Sequence, residues 1–121
     1  HMKLVPGKTF STPDEMYLSL KWMALLSGRI HCDLSATTGI SDGEAILKQV
    51  LAGAKTVQVA SALYTNGVNY IETMLHQLED AMNKHHIDSI DSIRGNLSRT
   101  MSDHPAMYDR VQFIKDFVGL E

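Results

Sequence analysis

The sequence predicts an α/β fold of one kind: a C-terminal fragment of a (β/α)8 TIM barrel, with about two parallel strands and flanking helices. Three observations lead there. The elements run helix, strand, helix, strand, helix, the order of a repeating α/β fold. The two strand-like runs are joined by a helix, so they form a βαβ unit with parallel strands and a right-handed crossover. The chain has 121 residues, about half of the roughly 250 a barrel takes. A lone parallel pair is a poor finished architecture, because it leaves edges unpaired and a face uncovered.

The first helix opens at Thr12, an N-cap, with Pro13 at the first helical position and Glu15 at capping-box spacing. Tyr17, Leu20, Lys21, Ala24 and Leu25 recur at helical spacing, Met16, Leu18, Trp22, Met23 and Leu26 widen the apolar face with Trp22 as a packing anchor, and Ser27-Gly28 ends the helix. Arg29 to Ser35 then alternates, with Ile30, Cys32 and Leu34 of one parity and His31, Asp33 and Ser35 of the other. That is strand period, and it makes Cys32 a buried, inert thiol. Ser41 with Glu44 opens a second helix through Ile46, Leu47, Val50 and Leu51, closed by Gly53. Residues 56–60 read as the second strand. Asn66-Gly67 is a turn, followed by a long helix over roughly 68–85 with Ile71, Met74, Leu75, Leu78, Ala81 and Met82 on its apolar face. A shorter helix is expected over 89–97, and a last one after Asp103-His104-Pro105. The domain reading is therefore 1–11 as vector remnant and irregular lead-in, 12–98 as barrel units, and 99–121 as a helical extension.

Composition narrows the function. Eleven basic and 14 acidic residues leave a formal charge of −3, which is no footprint for nucleic acid or an anionic membrane. The lone Cys32 permits no internal disulfide, and no apolar run is long enough for a membrane span or a signal peptide. A cytoplasmic location is expected. His76 and the adjacent His85 and His86 point in different directions on a helix and make no metal set.

The chemistry lies in two loops, each following a strand at its C-terminal end. The first is Thr37-Thr38-Gly39-Ile40, the second Ala60-Ser61-Ala62. In a barrel, the loops after the last two strands often bind phosphate through backbone N–H groups, and a serine adds a hydroxyl. Short glycine motifs alone also serve as plain tight turns.

An ordered series of motifs is more specific. Thr38-Gly39-Ile40, Leu51-Ala52-Gly53-Ala54, Val57-Gln58-Val59-Ala60-Ser61-Ala62-Leu63-Tyr64 and Ser89-Ile90-Asp91-Ser92-Ile93-Arg94-Gly95 follow one another in this order. From about Thr12 to Ser98 the chain resembles the C-terminal end of dihydroorotate dehydrogenases, FMN-containing barrels of pyrimidine biosynthesis. Its Arg94-Gly95-Asn96-Leu97-Ser98 end is most similar to a dihydroorotate-dehydrogenase-like branch. The resemblance implies FMN as cofactor, with its phosphate held at Thr38, Gly39, Ala60 and Ser61. Thr38 and Ala60 stand where the family has glycines, and a side chain there crowds the phosphate or demands another backbone angle. The family's catalytic base and its substrate-binding Lys and Asn residues come from earlier strands, so no catalytic residue is expected in this stretch. Alone, the chain is expected to be inactive and to self-associate through its open strand edges. The other readings are an FMN protein with another small-molecule substrate, and a non-enzymatic self-associating α/β module.

Overall fold

A computed structural model of the chain describes Met2 and residues 10–98. A 3-10 turn, Pro13–Glu15, leads into α1, Met16–Leu26. Then follow β1 (Ser35–Ala36), α2 (Gly43–Ala52), β2 (Thr56–Val57), α3 (Ser61–Asn66), α4 (Tyr70–Lys84) and α5 (Ile90–Ile93). The expected helix after Asp103 and the boundary of the 99–121 extension lie outside the described residues.

The parallel βαβ unit is present. Ser35 pairs with Thr56 and Ala36 with Val57, flanked by the bonds Lys55 N–H to Leu34 O and Gln58 N–H to Ala36 O, both 2.8 Å. The fold is thus helices around a two-stranded parallel sheet. The first strand is far shorter than its alternation predicted. Residues 29–32 are turn and bend, because Gly28 at φ +81° reverses the chain and Arg29 N–H bonds back to Leu26 O at 3.0 Å. Without a ladder, the alternation has no face to bury. Cys32 is exposed, which corrects its reading as a buried thiol, and His31 and Asp33 are exposed beside it.

The caps show how local chemistry sets the helices. Glu15 accepts a hydrogen bond from the Thr12 backbone N–H, the reciprocal arm of the expected capping box. For α2 the cap is Asp42 rather than Ser41: its Oδ1 accepts from Ala45 N–H at 2.8 Å. Glu44 instead pairs with Lys48, Oε1 to Nζ 2.9 Å. The long helix expected after the Asn66-Gly67 turn is α4, and Gly67 at φ +88° separates it from a short helix, α3, where the sequence reads as a loop. The helix expected over 89–97 is one short turn, α5. There Arg94 donates to Ala54 O at 3.1 Å and pairs with Asp91 at 2.6 Å. Its guanidinium holds the Asp91 carboxyl below the usual carboxylate range.

The core lies along α2. Nine of its ten residues are buried, including Lys48 and Gln49, because α1 and α4 both pack on it. Leu20, Leu47, Met74 and Leu78 interlock there, with Met16 and Met23 as gap-fillers. Both outer members of this row remain apolar on a free flank. Leu18 and Trp22 are 66% and 52% exposed on α1, about 200° round the helix from Leu20 and Ala24. Trp22 is therefore no anchor of the core. On the other side, Val68, Ile71 and Leu75 are exposed at and beyond the start of α4. Among the described residues, no helix is long and apolar enough to cross a membrane.

Candidate functional site

Parallel pairing delivers the loops after β1 and β2 to the same edge of the sheet. The segment before α1 comes to that edge as well. Ser11 joins all three: Gly39 N–H donates to Ser11 Oγ at 3.1 Å, Ser11 N–H donates to Ser61 Oγ at 3.1 Å, and the two hydroxyl oxygens are 3.2 Å apart. A cleft of about 220 Å³ opens beside these bonds. It is lined by Thr38, Gly39, Ala60 and Ser61, together with Ser11 and Gln58. All four residues singled out in the sequence therefore meet at one place. Among the described residues, no charged side chain lines it, so it offers an anion neutral donors: backbone N–H groups and hydroxyls.

The two glycine replacements differ in kind. Thr38 sits at φ +76°, the left-handed region that a β-branched residue rarely enters. It keeps a glycine's angle at a steric cost. Ala60 lies at φ −132°, ψ −65°, on the negative-φ side open to L residues. Gly39, at φ +73°, is where a side chain has no room. An added Cβ would stand 2.5 Å from Met16 N and 2.8 Å from Thr12 O. The obstruction is the start of α1, so crowding at Gly39 acts on packing before it acts on any ligand.

Two contributors were missed by sequence reasoning. Ser11 fell in the stretch taken as irregular lead-in, and a serine before a helix cap carries no sequence signal for a contact 50 residues away. Gln58 follows Thr56 by two, hence on the same sheet face. Thr56 Oγ1 and Gln58 Nε2 donate to Ser35 Oγ at 2.8 and 3.1 Å. This polar trio replaces the expected face of His31, Asp33 and Ser35, of which only Ser35 takes part. Period-two alternation in β2 could have found Gln58.

The rest of the described surface holds less chemistry. A larger cleft of about 370 Å³ between α2 and α4 is edged by Asp42, Glu44, Asp80 and Lys84. His76 lies exposed between Glu72 and Glu79. Among the described residues, no group of three or more His, Cys, Asp or Glu is arranged to hold a metal ion.

No protein-family model matches the chain. Among curated proteins, the dihydroorotate dehydrogenase (fumarate) of Lachancea kluyveri is 34% identical to it over 62 residues, 51% of this chain and 20% of that enzyme. The matched stretch thus spans about a fifth of the length of that relative. The likeness supports that family at most, and over only part of the chain.

Proposed function

We propose that this chain is the closing part of an FMN-dependent (β/α)8 barrel of the dihydroorotate dehydrogenase type, and that its strand-end cleft holds the flavin phosphate. The observation that carries the reading is the convergence of Thr38, Gly39, Ala60 and Ser61 on one cleft with Ser11. The donor set suits a phosphate: it combines the Gly39 backbone N–H with the Ser61 hydroxyl, in a space of about 220 Å³. The free flanks support the barrel. In a closed barrel, α1 and α4 would each have a further helix as neighbour, and the apolar surfaces at Leu18 and Trp22 and at Ile71 and Leu75 face where those neighbours would pack.

Bound there, FMN would supply hydride acceptance from the substrate carbon. The chain's own residues anchor and orient. Gly39 and Ser61 fix one end of the cofactor, and the Ser35–Thr56–Gln58 trio gives the inner sheet face a polar lining. The base that takes the substrate proton lies on strands outside this chain.

The test is anaerobic titration of the purified full-length protein with dihydroorotate. Bleaching of bound flavin is the expected result. A flavin that bleaches only with another donor moves the reading to a different substrate, and a protein without flavin removes it. The exposed apolar flanks also favour a second reading, a self-associating α/β module. That reading predicts a colourless oligomer.

A further inference from the structure

We propose that Ser11 is a built-in placeholder for a phosphate oxygen, so that a phosphate monoester entering the cleft must displace its hydroxyl. The inference rests on the phosphate reading above and adds a control element to the same site. A phosphate oxygen in this cleft would accept from Gly39 N–H and from the Ser61 hydroxyl. Ser11 Oγ already accepts from Gly39 N–H at 3.1 Å and lies 3.2 Å from Ser61 Oγ. One neutral oxygen thus stands against both donors. The arrangement is held from the backbone, because Ser11 N–H donates to Ser61 Oγ at 3.1 Å. Gly39 is buried, and a buried N–H without an acceptor is costly. Ser11 supplies that acceptor while no phosphate is bound. When the phosphate takes over, the Ser11 hydroxyl turns outward to the open side of the cleft.

The consequence is a linkage. Removing the Ser11 hydroxyl withdraws a bond made in the phosphate-free state and costs the occupied state little. FMN affinity therefore rises. The experiment measures FMN and riboflavin dissociation constants on the full-length apoprotein, wild type against Ser11→Ala. Alanine keeps the backbone N–H that bonds Ser61, so the variant isolates Oγ. FMN is expected to bind roughly three- to tenfold tighter, the equivalent of one hydrogen bond. Riboflavin, which has no phosphate, is expected to bind as before. Ser11→Cys, with a poorer acceptor of similar size, should move FMN in the same direction by less, and it serves if the alanine variant does not fold. Unchanged or weaker FMN binding overturns the placeholder, as does an equal change for riboflavin. If the wild type binds FMN no better than riboflavin, the phosphate reading itself fails, and this inference goes with it.

Discussion

Replacing Gly43 with alanine is expected to cost about 3 kcal/mol of stability, the upper end of what overpacking a close contact imposes. Gly43 is the first residue of α2 and its backbone lies against α4. An added Cβ would stand 2.3 Å from Leu78 N and 2.5 Å from Met74 O. Both obstacles are backbone atoms of a helix, so no side chain can swing aside. The helices must part, and α2 with α4 is the most extensive packing between elements among the described residues. The same close approach lets Gln77 Oε1 accept from Gly43 N–H at 3.0 Å, a bond that parting would also strain. Urea denaturation followed by circular dichroism checks this. A midpoint shift no larger than that of an exposed alanine substitution would mean that the helices do not meet this closely.

Adjacent positions in the first loop are expected to respond with opposite sign. Gly39→Val combines a left-handed φ, roughly 1–2 kcal/mol for an L residue, with overpacking against the start of α1, about 1–3 kcal/mol. The loss should approach 4 kcal/mol, a large part of a small domain's stability. Thr38→Gly releases the strain of a β-branched residue at φ +76° and should stabilise by about 1 kcal/mol, reduced by glycine's larger unfolded entropy. Denaturation of the two variants side by side decides it. Stabilisation by Gly39→Val, or destabilisation by Thr38→Gly, would place the left-handed turn elsewhere in the loop.

The features legible in the sequence were those written in local chemistry. Thr12 and Glu15 marked the start of the first helix because their reciprocal bond spans one turn. The parallel pair was legible because a helix between two β-rich runs leaves few other topologies. The cleft residues followed from the place of loops in a parallel sheet together with the ordered motifs. What failed depended on distant contacts. The alternation of 29–35 looked like a strand, yet the ladder holds two residues per strand, and Cys32 and Trp22 stayed exposed. Asp42 outcompeted Ser41 as cap because the helix begins at Gly43, where α4 can approach. Ser11 was illegible because its partners, Gly39 and Ser61, lie 28 and 50 residues further along the chain.

The loops after β1 and β2 are proposed to form a phosphate site. The most direct measurement compares FMN with riboflavin for binding to the full-length apoprotein, since the two differ only by the phosphate. The account predicts FMN tighter by about a hundredfold, as two hydrogen bonds to a charged oxygen, each roughly 1.5 kcal/mol, would give. Equal affinities would contradict it, because a cleft whose Gly39 N–H and Ser61 hydroxyl hold the phosphate cannot be indifferent to its loss.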